Sequence, residues 1–366
     1  MAHLAYVCGF VIGAASSVEA AVSSSRFNCS DFRVPARVPV DVRTLHPGHI
    51  SFVMAVGDSI TAAFSARSDL LEARDISWST GVGNAQQLTV PFMISRFNPK
   101  VAGASTKAVL PADLPHIPHG DYHPMTDHLN VAESEGAVHR NSMVEQWSYL
   151  NASARLYEPA FSHGWKMLTV WMTANDVCGM CHTPLANTSY LAKWIDGYDA
   201  LLHNVSKTFS NVYVSLLSTL DLSHIHRLQR TKLGCTIEHK FVHECGCVGQ
   251  GNTSELRLLD ANVHTMNAAL RQLAIAWQAR LQAQGRSDMA VVYQNFMEGI
   301  GAQLDISFLS RLDCFHPSTV GHEDLAIGLW NGLLCSDDRA HMCGRPFRPN
   351  LAPFCPTVDT VLYAGP

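Results

Sequence analysis

Four short apolar runs rich in β-branched residues, at 49–56, 167–172, 211–217 and 290–294, are separated by much longer helix-forming stretches. No other feature of the chain constrains its fold as strongly. The first run stops at Gly57, and the second gives way to Thr173-Ala174-Asn175-Asp176. An amphipathic pattern over 190–209 precedes the third run, good helix formers from about 256 to 284 precede the fourth, and a helical stretch follows Pro317 to about residue 334. Strands that are apolar throughout must be covered on both faces, so the alternation predicts a mostly parallel sheet between helical layers. Such sheets bind ligands beyond the carboxyl ends of their strands, which singles out residues 57–59 and 173–176.

With 366 residues, 47% of them hydrophobic, the chain can bury one large α/β core, expected to span 21–366. The net charge of −5, without any basic run interleaved with aromatics, argues against a nucleic-acid partner. Residues 1–20 carry an apolar stretch and a small-residue region around Val18-Glu19-Ala20, the pattern of a cleaved signal peptide. Outside the leader, ten of the 11 cysteines remain, an even number that allows up to five disulfides of unspecified pairing. Sequons at Asn28, Asn151, Asn187, Asn204 and Asn252 agree with passage through the secretory pathway, so the expected location is extracellular. The Pro- and His-rich stretch 111–127 is expected as a surface insertion, and the proline-rich tail from 336 as a wrap pinned by disulfides.

Ser59, in Gly57-Asp58-Ser59-Ile60-Thr61, stands where the first strand meets a turn that could expose its hydroxyl beside free backbone N–H groups. A serine nucleophile needs a base for its proton and donors for the developing oxyanion. Asp-Ser is equally good N-capping chemistry, and the local sequence alone favours a cap. His316, in Asp313-Cys314-Phe315-His316-Pro317, is the candidate base, with Asp313 placed to accept its imidazole N–H and set the tautomer. With 19 histidines in the chain, a loop histidine of no catalytic role is the plain alternative. Asn175, after the second strand, could donate a side-chain amide to an oxyanion, although Asn-Asp at such a place also suits a turn. Gly136, in Asn130-Val131-Ala132-Glu133-Ser134-Glu135-Gly136-Ala137, could offer an unobstructed N–H.

Taken together and in this order, these four segments resemble the blocks of the GDSL or SGNH hydrolase superfamily, and within it the phospholipase B-like group. Ser77-Trp78-Ser79-Thr80-Gly81, Thr89-Val90-Pro91, Arg96-Phe97-Asn98-Pro99, the cysteines around 178–181 and 235–247, and Leu329-Trp330-Asn331 extend the likeness over about 52–355. The resemblance implies a three-layer α/β/α fold of flavodoxin-like type, with Ser59 as nucleophile, His316 as base and Asp313 as its orienting acid. It further implies an oxyanion hole from the Ser59 N–H, Gly136 and Asn175, and chemistry that needs no metal or organic cofactor. The implied substrate is an ester of the phospholipid class, met by transient contact with a membrane interface. Two departures stand out: Thr173 occupies a position where the group usually has Gly, and one more residue than usual separates Asn130 from Gly136.

Other readings remain open at this level. Cys178, Cys181, Cys245 and Cys247 could hold zinc, although an oxidising compartment favours disulfides. His116, His119, His123 and His128 could bind metal or form a solvated loop. The ester could be small or glycan-linked, and a secreted lipid-binding or adhesion glycoprotein could keep the fold without turnover. Retention of Ser59, Asn175, Asp313 and His316 together weighs against that last reading.

Overall fold

The computed structural model describes residues 26–111, 122–185, 188–232, 234–235, 245–298, 300, 303–334 and 351–365. The expected leader, His116, His119, Asn187, Cys335 and Cys343 lie outside the described residues.

All four apolar runs form strands: β1 (Ile50–Gly57), β2 (Trp165–Trp171), β3 (Val212–Leu217) and β4 (Met289–Gln294). They pair in parallel in the order β1-β2-β3-β4. Register brings Gly57 opposite Trp171 and Leu217 opposite Gln294, so the carboxyl ends share one edge of the sheet. Nearly every strand residue is buried, the reason the runs are apolar throughout instead of alternating.

The helices used below are α1 (Ser59–Ala62), α2 (Val90–Ser95), α3 (Ser142–Ala154), α4 (Ala174–Cys178), α5 (Ser189–Thr208), α6 (Ser223–Gln229), α7 (Gly246–Gln250), α8 (Thr253–Ala283) and α9 (Thr319–Leu333). Helix α5 buries Trp194, Tyr198, Leu201, Leu202 and Val205, one stripe at helical spacing. Helix α8 starts from a capping box in which Asn252 accepts from the Glu255 N–H and Glu255 accepts from the Asn252 N–H. Helices α3, α5 and α8 pack as a layer against the sheet, while α9 packs on α2 and β4 in the other layer. The three-layer α/β/α expectation therefore holds.

One feature of the sheet is absent from the hydrophobic pattern. The free edge of β1 is covered by irregular chain, the Val53 and Ala55 N–H groups donating to Ala102 and Leu129 at 3.0 Å and Val131 donating to Ala55. Among the described residues, the open strand edge is thus paired without a regular fifth strand. Opposite the site, the tail is pinned by Cys29–Cys355 and donates backbone N–H groups from Leu362 to Leu45 and from Tyr363 to Leu333.

Candidate active site

Ser59 is delivered by the way β1 ends. Gly57 closes the strand where a Cβ would meet Thr61 Oγ1 at 2.6 Å and the Trp171 carbonyl oxygen at 2.8 Å, so the glycine is required by space alone. Its N–H and carbonyl are bracketed by the buried Gln146 amide at 2.9 and 2.8 Å. Asp58 then caps α1, its Oδ1 accepting from the Ile60 N–H at 3.0 Å. The cap is therefore Asp58, and the hydroxyl of Ser59, the first helical residue, is left for another partner. That partner is His316 Nε2, at 2.8 Å. Asp58 is fully buried, and burial pushes its carboxyl up to about 7 against the opposing pull of the Ile60 N–H and His316.

His316 is held by its own loop. Asp313 Oδ2 lies 2.7 Å from Nδ1, while Oδ1 accepts from the Phe315 and His316 backbone N–H groups at 2.9 and 3.1 Å. An ionised carboxylate only accepts, so Nδ1 carries the hydrogen and Nε2 is left as the acceptor facing Ser59. Burial alone would raise Asp313, but the adjacent imidazole and these hydrogen bonds outweigh it and hold the carboxyl below its usual value. The turn between the two residues passes through Cys314 at φ 53°, left-handed for a residue with a side chain. It is tied down by the Cys235–Cys314 disulfide and by Gln229 Nε2 donating to the Cys314 carbonyl at 3.0 Å. Ser59, Asp313 and His316 are 8%, 4% and 3% exposed, a site with little water around its charges.

Asn175 and Gly136 are neighbours. Asn175, in the first turn of α4, donates its side-chain amide to the Gly136 carbonyl at 3.0 Å. Gly136 packs against the end of β1, where a Cβ would lie 2.9 Å from the Gly57 carbonyl oxygen, and its own N–H donates to Glu133 at 3.1 Å. Thr173 has φ −133°, outside the left-handed region that favours glycine. The chain leading to Gly136 is anchored by a buried ion pair in which Arg74 donates to the Asn130 and Ala132 carbonyls. Its partner Glu72 accepts from the N–H and hydroxyl of Ser134.

A small apolar crevice opens next to the site residues. Ile60, Ala174, Phe315 and Pro317, each next in sequence to one of the polar residues above, form the wall on the Ser59 side, and Leu220, Leu222 and Ile225 line it towards α6. Two disulfides, Cys178–Cys245 and Cys181–Cys247, tie α4 to the start of α7, which packs on α6. The four thiols that could have held zinc are thus joined in pairs.

The family model described as GDSL-like Lipase/Acylhydrolase matches residues 53–329. This chain belongs to that family. As a GDSL-type ester hydrolase it carries Ser59, Gly136, Asn175, Asp313 and His316 inside the matched span. It is 29% identical over 323 residues to the human protein named "Phospholipase B1, membrane-associated", covering 85% of this chain and 20% of that protein. The rat protein of the same name is 29% identical over 329 residues, covering 85% and 21%. The chain thus spans about a fifth of the length of these relatives. Among solved structures, phospholipase A1 from Streptomyces albidoflavus NA297 matches with a TM-score of 0.38 and 13% identity, covering 75% of this chain and 94% of that one.

Several residues that build the GDSL-type site are not evident from the sequence. Gln146 acts 89 residues from Gly57, and nothing in its own helix marks it. Asp176 was visible only as the residue after Asn175. It is fully buried and accepts from the Val138 N–H at 2.8 Å and the His139 N–H at 3.2 Å, docking α4 against the turn that follows Gly136.

Proposed function

We propose that the chain hydrolyses carboxylic esters of phospholipids through an acyl-enzyme on Ser59. The Ser59 Oγ–His316 Nε2–Asp313 relay, at 2.8 and 2.7 Å in a nearly dry site, is the observation that carries this reading. As Ser59 Oγ bonds to the ester carbonyl carbon, Nε2 takes its proton and Asp313 stabilises the imidazolium. The carbonyl oxygen becomes an oxyanion facing the Ser59 N–H and Asn175 Nδ2, whose second hydrogen is directed by the bond to Gly136. The Gly136 N–H is the third donor, shared between the Glu133 carbonyl and the oxyanion. Collapse breaks the bond to the alcohol, which leaves with the proton from Nε2. Water then attacks the acyl carbon, giving its proton to Nε2, and Ser59 departs with that proton as the fatty acid is released.

The apolar lining of the crevice at Ile60, Ala174 and Phe315 supports a hydrocarbon acyl group over a polar one on that side of the site. The phospholipid assignment is drawn from the relatives' names. Extracellular action is supported by four disulfides, and among the described residues no helix is long and apolar enough to cross a membrane.

The test is hydrolysis of diacylphosphatidylcholine, lysophosphatidylcholine, triacylglycerol and acetyl esters by the purified protein, with Ser59→Ala as control. Phospholipid cleavage that disappears in Ser59→Ala, with a serine-directed phosphonate labelling Ser59, is expected. Full activity in Ser59→Ala would overturn the mechanism, and turnover of acetyl esters alone would overturn the substrate.

A further inference from the structure

A second carboxylate–histidine pair lies beside the oxyanion residues and takes no part in the mechanism above. Asp176 holds His139 Nδ1 at 2.9 Å and accepts from the Tyr190 hydroxyl at 2.5 Å, in addition to the two backbone N–H groups of the Val138–His139 turn. A buried carboxylate with four donors is a rigid base for an imidazole. The Tyr190 hydroxyl also lies 3.1 Å from Nδ1, so that side of the ring is fully engaged and Nε2 faces away from the cluster. The construction repeats that of Asp313 and His316, with one difference. His316 is buried against Ser59, whereas the His139 side chain is 40% exposed.

Its position relative to the reacting centre follows from the chain. His139 is three residues beyond Gly136 and is bonded to the residue next to Asn175, while none of residues 136–141 lines the apolar crevice. An ester with its acyl chain in the crevice and its carbonyl oxygen at Asn175 has only its alcohol part left outside. His139 is an exposed polar group joined through Asp176 to the turn that carries Asn175. The neighbouring Arg140 is already paired with Glu135 at 2.7 Å.

We propose that His139, oriented by Asp176 and Tyr190, binds the phosphodiester of the alcohol part of a phospholipid substrate. This rests on the phospholipid reading given above. When the ring carries a proton on each nitrogen, it donates Nε2–H to a phosphate oxygen and Nδ1–H to Asp176, a charge-assisted bond on each side. His139 is a specificity residue in this account, and bond cleavage stays with Ser59 and His316.

Dihexanoylphosphatidylcholine and dihexanoylglycerol share their acyl esters and differ in the phosphocholine, so their kcat/KM values isolate the contact. In His139→Gln, kcat/KM for the phosphatidylcholine is expected to fall about tenfold, mostly through KM, with the glycerol ester within about twofold of wild type. Tyr190→Phe, which leaves Nε2 in place and loosens the cluster, is expected to give a smaller loss confined to the same substrate. Inorganic phosphate is expected to compete weakly with the phosphatidylcholine in the wild type and not in His139→Gln. If His139→Gln lowers both substrates equally, the residue supports the oxyanion turn and the proposal fails. If it lowers neither, the proposal also fails, while the phospholipid reading stands. A wild type that cleaves the glycerol ester and not the phosphatidylcholine overturns both.

Discussion

Ser59 and His316 are 257 residues apart in the chain and 2.8 Å apart at Oγ and Nε2. The contact joins two separately stiffened turns. One is the end of β1, clamped by Gln146 and the Asp58 cap, and the other is a short loop clamped by Asp313 and a disulfide. In the mechanism proposed above, proton transfer from Ser59 to His316 would then need little reorganisation of either side chain.

Asp313→Asn keeps a group of the same size on the loop but places an amide where His316 Nδ1–H now donates. An amide nitrogen there favours the tautomer with the hydrogen on Nε2, which cannot accept from Ser59. The expected kcat is lower by roughly 10³–10⁴ with little change in KM. Steady-state rates on a soluble ester check this, with circular dichroism confirming the fold.

Gly57→Ala puts a methyl 2.6 Å from Thr61 Oγ1 and 2.8 Å from the Trp171 carbonyl. The strand end must move, and the loss of stability is expected to be about 1–3 kcal/mol. Because Ser59 rides on that strand end, activity should fall further than the folded fraction does. Denaturant melts and rates on the same samples separate the two effects.

The Cys235–Cys314 bond spans 79 residues and holds the His316 turn at its left-handed residue. Replacing both cysteines by serine is expected to cost about 2–4 kcal/mol of stability. Activity at a temperature where the variant stays folded should drop several-fold. Unchanged activity there would mean that Asp313 and Gln229 hold the turn unaided.

His322 is fully buried, and burial, reinforced by the charges of His316 and Arg67, pushes it down to about 3. In the unfolded chain its value is near 6.5, so between these limits the unfolded state binds a proton that the folded state refuses. The contribution to stability is present above pH 6.5 and is lost as pH falls towards 3, at about 2 kcal/mol by pH 5. Thermal melts from pH 7.5 to 5 should show His322→Gln with a shallower decline than wild type.

The four strands, α5, α8 and α9 were legible because each is long or apolar enough for its period to show. The cover on the β1 edge was not, since isolated bridges at Ala102 and Asn130 leave no periodic trace. Within the site, Asp313 and His316 stood out as a candidate pair by their spacing, whereas Ser59 read locally as a cap and became a candidate nucleophile only with the other segments and the resemblance they carry. Gln146 and the pair Glu72–Arg74 were not, because an ordinary polar residue acquires its role only from the backbone groups it meets.

The order of apolar runs and helices by itself determined a parallel sheet and pointed to the carboxyl ends of its strands for candidate site residues, since burial on both faces and strand direction follow from pattern alone. It left Ser59 read locally as a cap, and the ten cysteines unpaired. Only the tertiary structure decided these matters. Asp58 took the cap, Ser59 met His316, and the two cysteines near Asn175 joined Cys245 and Cys247. The reason is physical: a hydrogen bond or a disulfide depends on ångström-scale distance and direction, and residues far apart in the chain acquire these only when the strands and helices pack.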